Sequence, residues 1–378
     1  MNEQKANALD EVTRPPLVRS NPDLVGQLDA EKIFINAFHS GRMAHAWMIC
    51  GPKGIGKATL AYRFARYVLS QGVMDEGLGL FEDALTTEVP SSLYIDPNSP
   101  VFQRVAAGGH GDLLSIQRTL NDAGKLRSEI LVDNVREAGG FMSMSASEGG
   151  WRIVVIDSAD EMNRHAANAV LKVLEEPPDR ALLLLVTHNP GCLLPTIHSR
   201  CRKLNLRALG AKDMSKLLNN YAPELSVNDT LKLAELAEGS IGRAVDLREA
   251  GGIELYHACL TLLSSLPQLN MVNLHTLADQ LSRAGAEGQF ITAMDLLRSI
   301  LARLVRYKAE GLLLNDKFVD EAAIFKLICP AAGLDRWLEV WEKVCILLER
   351  AGAVNLDRKQ VVLNVFIVIG GAFSKLQK

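Results

Sequence analysis

Closely spaced cysteines are missing from this sequence. It has six cysteines in 378 residues, and no two of them lie within four positions of each other. A Cys-x-x-Cys redox motif or a zinc ribbon needs a closer pair, so the sequence contains neither. Most of the cysteines lie in or beside apolar runs, where a reduced cysteine packs as a small hydrophobic side chain. The pattern indicates a protein that keeps its thiols reduced.

A dominant charge of one sign and long hydrophobic runs are also missing. Lys and Arg number 41 and Asp and Glu number 44, which leaves a net charge of −3. This balance excludes a strongly basic nucleic-acid coat protein and an acidic disordered tail, so any DNA contact must come from a local patch or a partner. The longest apolar stretch, 361–373, contains glycines and is shorter than the roughly 20 residues of a membrane span. The first residues lack the apolar core of a signal peptide, so we expect a cytoplasmic protein without membrane contact.

The first half of the chain alternates short apolar runs with helical patterns. Strands are predicted over 46–50, 152–157 and 181–187, and helices over 58–69 and 166–176. Strands that are apolar on both faces and separated by helices are typical of a parallel sheet covered on both sides. The sequence therefore predicts an α/β domain.

The second half changes character. From residue 211 onward almost every segment has the 3.6-residue period of a helix, with glycines between the segments. We therefore predict an α/β domain over 1–207, a small helical domain over 208–252 and an all-α domain over 253–378. The acidic, glycine-containing stretch 71–92 is expected to be an exposed insertion.

A glycine-rich loop follows the first predicted strand. Residues 51–57 read GPKGIGK, which is the G-x-x-x-x-G-K pattern of a phosphate-binding loop between a strand and a helix. Gly51, Gly54 and Gly56 would let backbone N–H groups turn inward around an anion, and Lys57 would add a positive charge. A dinucleotide-binding loop fits less well because its third glycine is absent. A plain strand-to-helix turn is the structural alternative.

Two residues needed for hydrolysis are missing at this loop. A hydrolysing loop has Ser or Thr after its lysine to bind Mg²⁺, whereas this chain has Ala58, and Thr59 lies about 100° further round the helix. Asp157 ends the second predicted strand, where a magnesium partner normally lies. The next residue is Ser158 and not the Glu that orients water in many ATPases of this architecture. The loop residues, Thr59 and Asp157 are therefore predicted to form a vestigial nucleotide site with poor or absent hydrolysis, and we assign no metal ligand.

Three further segments resemble the clamp-loader family of AAA+ proteins. They are LEEPP at 174–178, SRC at 199–201 and GSIGRA at 239–244. Together with the phosphate loop, the resemblance covers residues 20 to about 250 well and the C-terminal helices more weakly. It implies an AAA+ P-loop fold, with 208–252 as a helical lid and 253–378 as the collar that holds a ring of subunits together. The altered loop and acidic motif resemble those of a stator subunit in the clamp loader of bacterial DNA polymerase III.

The resemblance also implies partners and residue roles. The partners would be gamma or tau subunits and a delta subunit in a five-membered ring that places a sliding clamp on primed DNA. Arg200, positioned by Ser199 and Cys201, would reach the ATP held by a neighbouring subunit and neutralise charge on the transferred phosphoryl group. Arg243 would be a second-sensor arginine at this chain's own vestigial site. A surface ion-pair residue is the alternative for Arg200, and an exposed helix arginine is the alternative for Arg243.

We expect no zinc site in this chain, unlike in many members of the family that it resembles. They carry a four-cysteine zinc module between the phosphate loop and the second strand, but residues 58–151 contain no cysteine, so no zinc is predicted there. We expect no required cofactor, with ATP, ADP or phosphate bound weakly if at all. Two other functions remain open on the sequence: an active AAA+ ATPase whose metal is held through Thr59 and Asp160, and a stand-alone nucleotide-binding regulator.

Overall fold

The structure is a computed structural model that describes residues 16–72, 90–311 and 319–373, apart from 123, 125, 149 and 355. Most of the predicted insertion at 71–92 lies outside these residues. The chain divides into two compact units, one comprising the residues up to 223 together with 238–242, the other comprising 224–237 and the residues from 243. Within the described ranges, no helix is long and apolar enough to span a membrane. The three-domain division with boundaries near 207 and 252 stays a prediction.

The first unit is built on a five-stranded parallel sheet. Its strands, in chain order, are β1 Ala46–Cys50, β2 Leu113–Ile116, β3 Arg152–Asp157, β4 Ala181–Thr187 and β5 Arg202–Asn205. They lie in the order β2-β3-β4-β1-β5 across the sheet, and every neighbouring pair is parallel. The three strands predicted from sequence are confirmed with their bounds. The predicted P-loop α/β fold with a helical C-terminal region is confirmed as well.

Both faces of the sheet are buried, which explains why its central strands are apolar throughout. In β1, Trp47 and Ile49 point into one hydrophobic cluster, while Ala46, Met48 and Cys50 point into a second cluster on the other face. Helices of the first unit cover these faces. They are α1 Leu28–His39, α2 Lys57–Ser70, α3 Pro100–Ala107, α4 Val132–Ser143, α5 Arg164–Glu175 and α6 Pro195–Arg200, and a further helix, α7 Ala211–Tyr221, follows β5 in the chain.

The ends of the two predicted helices shift by one or two residues. The helix expected over 58–69 begins at Lys57 and ends at Ser70 as α2. The helix expected over 166–176 is α5, which starts earlier because the side chain of Asn163 accepts a hydrogen bond from the Ala166 N–H at 2.9 Å. This is an N-cap, which satisfies a backbone donor at the helix start.

The second unit is helical, as its periodicity predicts. Its helices are α8 Val227–Leu236, α9 Ile241–Ala250 (which starts in the first unit), α10 Gly252–Ser264, α11 Met271–Ser282, α12 Glu287–Glu310, α13 Val319–Ile328, α14 Leu334–Val354 and α15 Arg358–Gly370. The long helix α12 packs against α10 and α14. Trp337 and Val344 on α14 are buried, and Asp357 caps α15 by accepting from the Gln360 N–H at 2.9 Å.

Candidate functional site

The phosphate loop lies at the carboxyl end of β1, beside the carboxyl ends of β3 and β4. Cys50 at the end of β1 pairs with Thr187 at the end of β4, and Asp157 at the end of β3 pairs with Val186. Ligands of open parallel sheets bind at this edge, where the chain turns to opposite sides. The topology therefore brings the loop and Asp157 to one edge, as the sequence predicts.

Glycine is required at two positions of the loop. Gly51 has φ of 147° and Gly54 has φ of 76°, both of which favour glycine. A Cβ on Gly51 would lie 2.7 Å from the Leu206 carbonyl oxygen, and one on Gly54 would lie 2.4 Å from Ser240 Oγ. The loop is therefore packed against two other segments of the first unit.

The turn at 239–242 packs directly onto the loop. Ser240 Oγ donates to the Lys53 carbonyl at 2.8 Å, and the Gly242 N–H donates to the Gly54 carbonyl at 3.0 Å. The close contact from the GSIGRA segment to the loop is therefore made by a serine and a glycine backbone. Sequence reasoning missed this contact because it looked for a charged side chain there.

Lys57 folds back onto its own loop. Lys57 is a buried residue, 3% exposed, and its Nζ donates to the carbonyls of Gly51, at 2.7 Å, and Pro52. Burial lowers the pKa of the ammonium group to about 8, although the charges of Asp157 and Asp160 act in the opposite direction. The charge that the sequence predicts for an anion is thus compensated by carbonyl oxygens of the same loop.

Asp157 accepts a hydrogen bond from Ser158, the residue at the position where a hydrolysing site has its water-orienting glutamate. Ser158 Oγ donates to Asp157 Oδ1 at 3.2 Å and lies 2.9 Å from His188 Nε2. Burial raises the pKa of the Asp157 carboxyl and lowers the pKa of His188 to about 4, so the imidazole is neutral near pH 7. The three groups form a continuous chain when His188 carries its proton on Nε2 and donates it to Ser158.

The second carboxylate of this region caps a turn. Asp160 Oδ1 accepts from the His188 N–H at 3.0 Å, and Oδ2 accepts from the Asn189 N–H at 3.1 Å. Burial acts to raise the pKa of the Asp160 carboxyl, but these backbone bonds hold it below its ordinary value. Both oxygens are therefore used to hold the turn after β4.

The residues at this edge do not fit a magnesium–ATP complex of the hydrolysing type. Ala58 has no oxygen where that loop needs a hydroxyl, and Thr59 is a buried residue on the next position of α2. Asp157 and Asp160 are hydrogen-bonded within the chain, and burial disfavours the charged form of Asp157. Magnesium prefers several oxygen ligands in octahedral geometry, which this set does not supply.

Arg200 lies at the surface as the last residue of α6. Its side chain is 35% exposed, and Nη1 donates to the Thr196 carbonyl at 3.1 Å and to Ser199 Oγ at 3.4 Å. Nη2 lies 3.1 Å from Glu175 Oε1. Cys201, the next residue, is buried, and burial raises the pKa of its thiol to about 12, so it packs as a neutral side chain. The turn is thus fixed from inside while the guanidinium remains accessible.

The predicted site residues separate into three groups. Gly51, Gly54, Gly56, Lys57 and Asp157 lie at the carboxyl edge of the sheet. The SRC segment, 199–201, is at the junction of α6 and β5. Arg243 belongs to the second unit, where Nη2 donates to Ser299 Oγ at 2.9 Å, and its second-sensor role stays a prediction.

Comparison with known proteins finds similarity over part of the chain. Residues 26–210 match the model of the family described as "DNA polymerase III, delta subunit". The chain is 34% identical over 197 residues to the DNA polymerase III subunit delta' of Pseudomonas aeruginosa, covering 52% of this chain and 53% of that protein. It is 28% identical over 231 residues to the tau subunit of Escherichia coli, covering 60% of this chain and 32% of that one. The chain thus spans about half of the first relative and a third of the second.

Solved structures give a weaker likeness. A DNA polymerase III gamma-subunit-related protein from Thermotoga maritima aligns with 92% of this chain and 99% of its own, at 19% identity and a TM-score of 0.39. The clamp loader delta protein of Bacillus subtilis aligns with 90% of this chain and 98% of its own, at 10% identity and a TM-score of 0.32.

Proposed function

We propose that this chain, whose residues 26–210 match the model of the family described as "DNA polymerase III, delta subunit", acts as a delta-prime-type clamp-loader subunit that does not hydrolyse ATP. In this proposal it works in the cytoplasm, assembles with gamma or tau subunits and a delta subunit, and helps to load the sliding clamp on primed DNA. Its chemical contribution is an arginine, Arg200, that it supplies to ATP held by a neighbouring subunit. The observation that carries the proposal is the contrast between an internally bonded phosphate loop and an accessible arginine on an anchored turn.

The internal bonding of the loop supports the absence of hydrolysis. Lys57 is held by loop carbonyls, and Asp157 accepts a hydrogen bond from Ser158, which also contacts His188. Hydrolysis needs a metal-bound phosphate and an oriented water, and these contacts use the same side chains for other bonds. Weak binding of ATP, ADP or phosphate without metal remains compatible with the backbone of the loop.

The setting of Arg200 supports a contribution in trans. A guanidinium neutralises charge on a transferred phosphoryl group only if it is accessible and held in place. Ile197 and Cys201, on either side of Arg200, are both buried in one hydrophobic cluster, so the backbone of the turn is anchored while the side chain reaches solvent. The chain's own residues thus provide position, and the neighbour provides the nucleotide.

The test is Arg200→Ala in a complex reconstituted with gamma or tau and delta subunits. We expect the ring to assemble, since Arg200 is a surface side chain, while the neighbour's site loses on the order of 10³-fold in rate. The steady-state ATPase rate of the complex should then fall by the fraction of the total turnover that comes from this neighbouring site. Arg200→Lys keeps the charge but not the planar fork, so it should restore little activity.

Two controls separate the alternative functions. If the isolated chain turns over ATP and Lys57→Ala abolishes that turnover, the chain is an active ATPase and the proposal is wrong. If no stable complex forms with gamma or tau and delta subunits in a pull-down, a stand-alone regulator is the better description. Unchanged ATPase in the Arg200→Ala complex removes the proposed role of the arginine.

A further inference from the structure

Arg200 is paired with a carboxylate of its own chain. Its Nη2 lies 3.1 Å from Oε1 of Glu175, whose side chain is 51% exposed. Glu175 belongs to the LEEPP segment, so the pair joins two of the segments that carry the family resemblance. These segments are 25 positions apart in sequence, and the packing of α5 on α6 brings them together.

Each residue of the pair is adjacent in sequence to a buried hydrophobic residue. Leu174, directly before Glu175, and Cys201, directly after Arg200, are buried in the same hydrophobic cluster. The backbones on both sides are therefore fixed by core packing, and only the charged ends of the two side chains can rearrange. Such an arrangement permits exchange of the ion pair without movement of the helices.

Arg200 has partners on two helices. Glu175 is the last residue of α5, and Thr196, whose carbonyl accepts from Nη1, is the second residue of the short helix α6. Both terminal nitrogens of Arg200 thus have a partner within the chain, while the guanidinium keeps further N–H groups that can donate. A phosphate oxygen from a neighbour that approaches Nη2 on the side of Glu175 must take the place of this carboxylate.

We propose that Glu175 is a positioning residue that clasps Arg200 in a resting orientation and competes with the phosphate of a neighbouring subunit's ATP. This inference rests on the proposed function of Arg200. A carboxylate and a phosphate repel each other when both face one guanidinium. Exposed ion pairs are weak and screened by salt, whereas a guanidinium–phosphate pair is charge-assisted and bidentate. Nucleotide bound next door therefore displaces Glu175 from Arg200.

The test compares Glu175→Gln with the wild-type chain in the reconstituted complex, by titration with ATP. Loss of the competing charge should lower the apparent KM for ATP by about two- to fivefold, which is the range of an exposed ion pair, with little change in kcat. Glu176→Gln removes the adjacent carboxylate and serves as the matched control, with no expected change. The effect of Glu175→Gln should shrink at high salt, because salt already weakens the clasp.

A double variant shows whether the effect passes through Arg200. In an Arg200→Ala background, Glu175→Gln should change nothing. An effect that persists there, an unchanged KM in the single variant, or a raised KM would each overturn the clasp. If Arg200→Ala itself leaves the ATPase of the complex unchanged, the proposed function fails and this inference fails with it. If Arg200→Ala lowers the ATPase but Glu175→Gln has no effect, only the clasp is wrong.

Discussion

His188 shows how single residues alter the chemistry of the sheet edge. The sequence places it directly after the third predicted strand, which ends at Thr187. In the structure its ring lies 2.9 Å from Ser158 Oγ, and its backbone N–H donates to Asp160. Burial keeps its imidazole neutral. Neither contact is readable from local sequence, because the partners are about 30 positions away.

The depressed pKa of His188 predicts a pH dependence of stability. Its pKa falls from 6.5 to about 4 on folding, so below pH 6.5 the unfolded chain binds a proton that the folded chain does not. The contribution of His188 to the free energy of unfolding therefore has its full value above pH 6.5 and decreases as the pH falls from 6.5 toward 4. Discounted for partial solvent screening, the loss is about 1 kcal/mol between pH 6.5 and 4.5.

The measurement compares wild type with His188→Gln by urea unfolding at pH 6.5 and at pH 4.5. Glutamine does not titrate, and its amide can still bond to Ser158. Wild type should lose about 1 kcal/mol more than the variant over this interval, since carboxylates titrate in both proteins. Equal losses would show that His188 is not held neutral.

At the scale of elements, the phosphate loop is the surface against which the turn at 239–242 packs. The strand–loop–helix order was predictable because G-x-x-x-x-G-K and its flanking periodicities are local patterns. The contact of the loop with the turn at 239–242 was not predicted, because it depends on segments nearly 190 positions apart. In this setting the glycines serve close backbone packing as well as turn geometry.

Gly54→Ala tests the contact between the phosphate loop and the turn at 239–242, with Gly41→Ala as the matched control. Both glycines have positive φ, 76° and 67°, so each substitution carries a left-handed backbone cost of about 1 kcal/mol. A Cβ on Gly54 would also lie 2.9 Å from Gly242 Cα, whereas nothing lies within 4 Å of one on Gly41. We expect Gly54→Ala to cost at least about 2–3 kcal/mol and to lower the urea midpoint more than Gly41→Ala. Equal midpoints would contradict close packing at the loop.

At the scale of the whole molecule, the second unit has its own core and its own buried polar cluster. Glu321, 1% exposed, accepts from Tyr256 Oη at 2.8 Å and from Arg303 Nε at 2.8 Å and Nη2 at 2.6 Å. The cluster joins helices α10, α12 and α13. A buried charge is tolerated only with such partners, so the cluster specifies how these helices meet.

Removing one charge of this cluster should be costly. Glu321→Gln leaves the Arg303 guanidinium largely buried without its counter-charge, and we expect a loss of about 3–5 kcal/mol. Tyr256→Phe removes a single hydrogen bond and should cost about 1 kcal/mol. Thermal unfolding followed by calorimetry measures both variants. The double replacement Glu321→Leu with Arg303→Met should recover much of the loss, and a Glu321→Gln protein as stable as wild type would show that the pair is not structurally important.

The fold class was predictable because it depends on periodicity and on apolar strands that are buried on both faces. Strands β2 and β5 were missed since LLSI is short and partly exposed and RKLN is a polar edge strand, so neither has the continuous apolar run of a central strand. The loop motif and the replacement at residue 58 were likewise visible in the sequence.

Local patterns determine where strands, helices and the phosphate loop form, because the side chains that set them lie within a few residues of one another. Partner choice among charged and polar groups depends instead on packing between distant segments. Lys57 turns back onto its loop, Ser158 joins Asp157 to His188, and Arg200 meets Glu175 because the sheet order and the docking of α5 on α6 bring these atoms within hydrogen-bonding distance. No property of the isolated segments specifies those distances.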